Sequence, residues 1–307
     1  MTILVTGATG NTGRCLVHQL VDAGQAVRAM TRAPQTAHLP AAVDVRYGDF
    51  EQPDTWPGVL EGVERVYLFP HVDVAATSGA RFIDSASGGR FVDHAVRAGV
   101  RRFVVHSAVA AGFPPGDEPA GPGRQYLKQH LAVERQAHRE LEQWVEATGA
   151  EWTHLRPGLL AVNALGWAES IRAERVVREP YPTSGYPWVH EADIAEVAVA
   201  ALLTDAHVGA AYTLTGPDKI THAEQVQTIA TAIDDIIRFE ELTPQQALEH
   251  WIRDGVPAEY ADWMLELRAD SINGPGCIPP TDTFHQITGR APRSFAQWAS
   301  DHRADFL

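Results

Sequence analysis

Ile3-Leu4-Val5-Thr6-Gly7-Ala8-Thr9-Gly10-Asn11-Thr12-Gly13 runs from an apolar strand into a turn with glycines at 7, 10 and 13. An amphipathic segment opens at once, with Leu16, Val17, Leu20 and Val21 at helical spacing. Strand, glycine turn and helix in that order form a cradle for phosphate. Gly7 permits the tight turn off the strand. Gly10, without a side chain, lets a pyrophosphate approach the backbone. Gly13 lets the helix pack close to the strand, and the N–H groups at the helix start face the anion. This order predicts an α/β fold of the Rossmann type, a doubly wound parallel sheet, with Gly7, Thr9, Gly10, Asn11, Thr12 and Gly13 as the cofactor-binding turn.

Ala26-Val27-Arg28-Ala29-Met30-Thr31 reads as the second strand. NAD-specific sites place an acid near the end of this strand to bond the ribose 2′-hydroxyl. Here the strand ends at Thr31-Arg32, and a guanidinium there offers a planar fork of donors to a 2′-phosphate. The expected cofactor is therefore NADP(H), with Arg32 as its discriminator.

The form Thr6-Gly7-Ala8-Thr9-Gly10-Asn11-Thr12-Gly13, with Leu155-Arg156-Pro157-Gly158 further on, resembles the atypical and extended branch of the short-chain dehydrogenase/reductase superfamily. The likeness is greatest to the NmrA-like group, which includes NADPH-dependent quinone reductases, triphenylmethane-dye reductases and non-catalytic NADP sensors. It spans nearly the whole chain. It implies that Asp49 and Phe50, in the turn after the third strand (Val43–Tyr47), lie beside the adenine. Pro70 and His71 fall at the carboxyl edge of the fourth strand, where open α/β sheets bind ligands. Pro70 is assigned to the cofactor and His71 to the substrate.

The resemblance also places Ser107, after the fifth strand, where the superfamily has its catalytic serine. A long helix is predicted from Tyr126 to Thr148. In the superfamily a Tyr-x-x-x-Lys pair opens this helix, the tyrosine acting as general acid while the lysine holds the nicotinamide ribose. This chain has Tyr126-x-x-x-His130, and His130-x-x-x-Glu134 resembles a segment of the quinone and dye reductases. Tyr126, His130 and Ser107 are the expected catalytic set, with His130 and Ser107 also touching the cofactor. Glu134, one turn on, is expected to favour a charged imidazole. His130, Glu134 and His138 suggest no metal, since residues eight apart on a helix are separated by about 12 Å.

Residues 112–123 carry four prolines and four glycines and are predicted to form a loop at the substrate mouth. After the strand that ends at Arg156-Pro157, Leu160, Asn163 and Trp167 are expected to line a substrate site suited to a flat, apolar molecule. Asp193 reads as a helix-start acid in a segment, 188–205, that returns to the core. The domain expectation is a dinucleotide-binding core over 1–158 with 188–205, and a smaller α-rich C-terminal substrate lobe from 159–187 and 206–307. In that lobe Thr221-His222-Ala223-Glu224 matches a capping box, Thr243-Pro244 opens another helix, and 258–272 forms a further helix at the cleft.

Lys and Arg total 25 against 39 Asp and Glu, a formal charge of −14. Such a surface repels nucleic acid and anionic membrane. Two cysteines and no signal-like or membrane-length apolar run point to a reducing cytoplasm. The leading expectation is an NADPH-dependent oxidoreductase that passes hydride to a small apolar acceptor such as a quinone, enone or imine. Such acceptors are reduced largely by positioning, which accommodates the missing lysine. A non-catalytic NADP(H) sensor acting through a protein partner is the alternative, and a sugar-nucleotide epimerase a more distant third.

Overall fold

The computed structural model describes residues 1–74, 79–82, 85–274 and 276–307; the side chains of residues 71–85 lie outside the described set. From the amino end come β1 (Thr2–Val5), α1 (Asn11–Asp22), β2 (Ala26–Thr31), β3 (Asp44–Tyr47), α2 (Trp56–Leu60) and β4 (Val63–Leu68). A short antiparallel pair follows, β5 (His71–Val74) and β6 (Gly79–Phe82), then α3 (Ser85–Arg97), β7 (Arg102–His106), α4 (Gln125–Ala147) and β8 (Glu151–Pro157). Next are α5 (Ala168–Glu174), β9 (Val176–Glu179), β10 (Gly185–Tyr186), α6 (Glu191–Leu203) and β11 (Ala210–Leu214). The chain closes with β12 (Ile220–Thr221), α7 (His222–Ile233), β13 (Arg238–Glu241), α8 (Pro244–Arg253), α9 (Ala258–Asp270), α10 (Thr283–Thr288) and α11 (Phe295–Asp301).

Seven strands form one sheet in the order β11-β8-β7-β4-β1-β2-β3. The pairs β1–β2, β2–β3, β1–β4, β4–β7 and β7–β8 are all parallel. Chain order reverses between β1 and β4, the switch point at which such sheets bind ligands. Ile3, Leu4 and Val5 are fully buried, as a strand covered on both faces requires. No helix among the described residues is long and apolar enough to cross a membrane.

Two compact units divide the chain. The first comprises Met1–Gly112, Glu134–Pro157 and Glu191–Thr213, and holds the sheet. Its core brings Trp56, Phe91 and Phe103 together with apolar residues of β4, α3 and α4. Helix α6 lies along α1, where the Gln19 side-chain amide donates to the Ala192 carbonyl at 3.1 Å. The second unit comprises Phe113–Val133, Gly158–His190 and Leu214–Leu307, so 113–133 group with it and not with the sheet. Its main core gathers Ile171, Ile229, Phe295, Trp298 and Phe306. Helices α7 and α8 start at capping boxes, Thr221 with Glu224 and Thr243 with Gln246.

Candidate functional site

The glycine turn is shaped by backbone proximity. Gly7 sits at φ +62°, and a Cβ there would come within 2.9 Å of the Phe69 ring. A Cβ on Gly13 would stand 2.1 Å from the Gly7 carbonyl oxygen, so α1 can approach the turn only with glycine in its first turn. Gly10 precedes α1 with no side-chain cap, and no acid occupies the first turn. The N–H groups of Asn11, Thr12 and Gly13 precede the first i→i−4 bond, which Arg14 N–H makes to Gly10. A helix start whose first N–H groups have no intrahelical acceptor and whose first turn holds no acid fits a pyrophosphate.

Around this turn lies a cleft of about 210 Å³ within the first unit. Gly7, Thr9 and Gly10 form one side, Met30, Thr31, Arg32 and Ala33 from the end of β2 a second, and Gly48, Asp49, Phe50 and Phe69 the rest. The structure thus brings Gly7, Thr9, Gly10, Arg32, Asp49 and Phe50 together. Arg32 is exposed at the rim. Asp49 is held by its own turn, accepting from the Glu51 N–H at 2.9 Å and the Gln52 amide at 3.3 Å. Phe50 is anchored edge-on against Phe91, ring centroids 4.9 Å apart. Pro70 is buried and does not line the cleft; its neighbour Phe69 does.

Phe69 is therefore a cleft residue that the sequence does not single out. Thr6 places it: the Thr6 hydroxyl donates to the Tyr67 carbonyl at 3.1 Å and accepts from the Phe69 N–H at 2.7 Å. Behind it, His106 meets the Phe69 ring edge-on at 4.9 Å and bonds the Tyr67 hydroxyl.

Ser107 does not open onto the cleft. It is 2% exposed, beside a buried ion network built by α4 and β8. Arg156 on β8 grips the Glu142 carboxylate with two bonds of 2.9 and 2.6 Å. Arg139 pairs with the same carboxylate and with Glu146 at 3.2 Å, while His154 meets Glu146 at 3.1 Å. Burial pushes the Glu142 carboxyl up, but the Arg156 fork and the neighbouring His154 outweigh it and hold the group at about 2. Glu142, Glu146 and His154 have ligand atoms within 4.8 Å of one another, yet the two guanidiniums already supply the positive charge that a metal ion would bring.

On α4, Tyr126 is 52% exposed. His130 is stacked on Trp263, and burial pushes its imidazole down to about 4. The expected charged imidazole is thus replaced by a neutral ring, because loss of water outweighs any neighbouring carboxylate. Burial likewise pushes Glu134 up to about 7. The start of α4 is fastened within the second unit by α9: Glu266 accepts the Leu127 N–H and Asp270 the Gly121 N–H, both at 2.8 Å.

The expected substrate residues Leu160, Asn163 and Trp167 belong to the second unit. Leu160 packs into the second unit's core, and Asn163 is exposed. Trp167 donates its indole N–H to Glu179 at 3.0 Å, which also binds Arg268, so this ring is tied into the unit's interior. The side chain of His71 lies outside the described residues.

The sequence model of an NAD(P)H-binding family matches residues 7–205. Over 99% of both chains the protein is 32% identical to the NAD(P)H azoreductase of Xenophilus azovorans. It is 31% identical, again over 99% of both, to the (4-alkanoyl-5-oxo-2,5-dihydrofuran-3-yl)methyl phosphate reductase of Streptomyces griseus. Among solved structures, an NADPH-dependent quinone oxidoreductase of Escherichia coli in complex with NADPH superimposes with TM-score 0.73 at 21% identity, covering 97% of this chain and 99% of that one. A triphenylmethane reductase from Citrobacter gives TM-score 0.73 at 18% identity, covering 99% of each.

Proposed function

This chain belongs to the NAD(P)H-binding family, and on that premise we propose that it passes hydride from NADPH to a flat, apolar acceptor of the quinone, enone, imine or azo kind. It is an NAD(P)H-dependent oxidoreductase of the NmrA-like extended short-chain dehydrogenase/reductase group. The observation that carries the reading is the cleft at the sheet's switch point, where the glycine turn, Arg32 and Asp49 line one cavity. The reductase activities named for the azovorans and griseus relatives support the acceptor class.

Bound NADPH supplies the hydride. The N–H groups of α1's first turn would hold the pyrophosphate, Arg32 would take the 2′-phosphate, and Asp49 and Phe50 would border the adenine. Phe69 closes the wall beside Gly7. The test is an NADPH-oxidation screen against quinones, imines, enones and azo compounds. Stoichiometric cofactor binding without turnover on any of them would overturn the reading in favour of a sensor. In the same assays Arg32→Ala is expected to weaken NADPH binding by about 1.5–3 kcal/mol and leave NADH nearly unchanged. Equal losses for both cofactors would remove Arg32 from the 2′-phosphate.

Reduction also consumes a proton. The sequence offers Tyr126, whose side chain is more than half exposed. Tyr126 is the proposed donor, and Tyr126→Phe, which removes only the hydroxyl, is expected to lower turnover about 100-fold with cofactor binding preserved. Full activity in Tyr126→Phe would leave reduction to positioning alone.

A further inference from the structure

We infer that Arg14, which the proposed cofactor contacts leave unused, is a positioning residue for cofactor choice: it braces the segment that carries Arg32 against the glycine turn. The inference rests on the proposed NADPH site and deepens it. Arg14 follows Gly13 in the first turn of α1. Its Nε donates to the Thr9 carbonyl at 2.9 Å and its Nη1 to the His38 carbonyl at 3.2 Å. Thr9 lines one side of the cleft, and Arg32 and Ala33 line another. From Ala33 the chain passes through a single tight turn, Pro34–Thr36, to His38. One planar guanidinium thus joins the segments that form two walls of the cleft.

Three observations set Arg14 apart from a surface arginine. The first is its choice of partners. Arg28 pairs with Asp44, Arg102 with Glu151 and Asp205, and Arg156 with Glu142. Arg14 instead meets two carbonyl oxygens and, among the described residues, no carboxylate. A carboxylate here would repel the phosphates of a dinucleotide, whereas carbonyls hold the guanidinium and leave its charge uncancelled. The second is the backbone of His38, at φ +47°, a conformation that a residue with a side chain keeps only where its surroundings hold it. The third is the lack of other ties from this stretch to the turn. The N–H groups of Ala33, Thr36 and Ala37 donate to Thr31, Ala33 and Pro34, so they tighten the segment without fastening it to α1.

The brace acts on one part of the cofactor more than on the rest. The pyrophosphate cradle is made by the backbone of the turn and of α1, which stays when the Arg14 side chain goes. What is lost is the fixed spacing between that cradle and Arg32. NADPH and NADH share the pyrophosphate and differ in the 2′-phosphate, so the larger loss falls on NADPH.

The test is equilibrium titration of the full chain with NADPH and with NADH, in wild type, Arg14→Met, Arg32→Ala and the double variant. Arg14→Met keeps an apolar stem and removes the donors. It is expected to weaken NADPH about tenfold and NADH about twofold. Added to Arg32→Ala, it is expected to cost NADPH no more than it costs NADH, because no guanidinium remains to be positioned. NADH affinity on the same preparations reports an intact cradle. Equal losses for the two cofactors in Arg14→Met overturn the inference, as does unchanged NADPH affinity. So does a full tenfold further loss of NADPH in the double variant, which would make the two arginines independent. The expected pattern without NADPH oxidation on any acceptor leaves the brace standing and removes hydride transfer from the proposed function.

Discussion

Gly13→Ala is expected to abolish measurable NADPH binding and to lower folding stability by about 3–5 kcal/mol, among the largest effects of any single substitution. The added Cβ would lie 2.1 Å from the Gly7 carbonyl oxygen and 2.9 Å from Ala8 Cα. Both are backbone atoms, so no rotamer change relieves the clash. Either α1 moves off the turn, which pulls the Asn11, Thr12 and Gly13 N–H groups away from the phosphate position, or the turn deforms and takes Gly7 with it. Either movement also disturbs the packing of α1 on α6. Thermal unfolding together with NADPH titration checks this. A variant that melts like wild type and binds NADPH unchanged would refute the close approach. Gly24→Ala is the control for glycine removal as such: it stands at φ +72° with open space around it, and only its conformational strain should register.

The second large effect is expected at Glu142, which does not line the cleft. Glu142 is fully buried and neutralises Arg156, whose side chain is 16% exposed. Glu142→Gln should destabilise the protein by about 3–5 kcal/mol, because it strands a desolvated guanidinium. Glu142→Leu combined with Arg156→Met should recover much of that loss, since an apolar pair of similar volume carries no unpaired charge. The pH dependence has a definite sign. The folded carboxyl is held at about 2, below its ordinary 4.5. The network's contribution is therefore complete above that ordinary value and is lost as pH falls through about 2. Denaturation between these limits should show a steep loss in wild type and a shallower one in Glu142→Gln. Identical slopes would mean that Glu142 is not ionised in the fold.

What could be read from the sequence was local. The strand, the glycine turn and α1 follow one another without interruption, so their spacing already carries the cradle. The capping box at Thr221 spans four residues and was equally plain, as was the helix opened by Thr243-Pro244. Arg32 and Asp49 were legible because each ends a strand, and parallel sheets gather strand ends on one edge. Phe69 was not, because its place beside Gly7 depends on β4 lying next to β1, a neighbour relation that no short window contains. The charge expected of His130 failed for a related reason. His130 looks like a partly charged group on an exposed helix until Trp263 covers it, and that cover comes from the far end of the chain. Ser107 matches a catalytic serine by position, but its surroundings are set by Glu142 and Arg156, which arrive on two other elements. Trp167 has the right chemistry for a flat ligand, yet Glu179 claims its N–H.

Helix α4 answers to two masters along its length. Residues up to Val133 group with the second unit, where Glu266 and Asp270 of α9 hold its approach and first turn; from Glu134 onward it belongs with the sheet, through the Arg139 and Arg156 ion network. For descent with modification this is a useful partition. Mutations on α9 and on the opening turns of α4 can reshape the His130–Trp263 contact while the half that belongs with the sheet, fastened by its own buried charges, is inherited unaltered. Change on α9 would then leave cofactor recognition untouched.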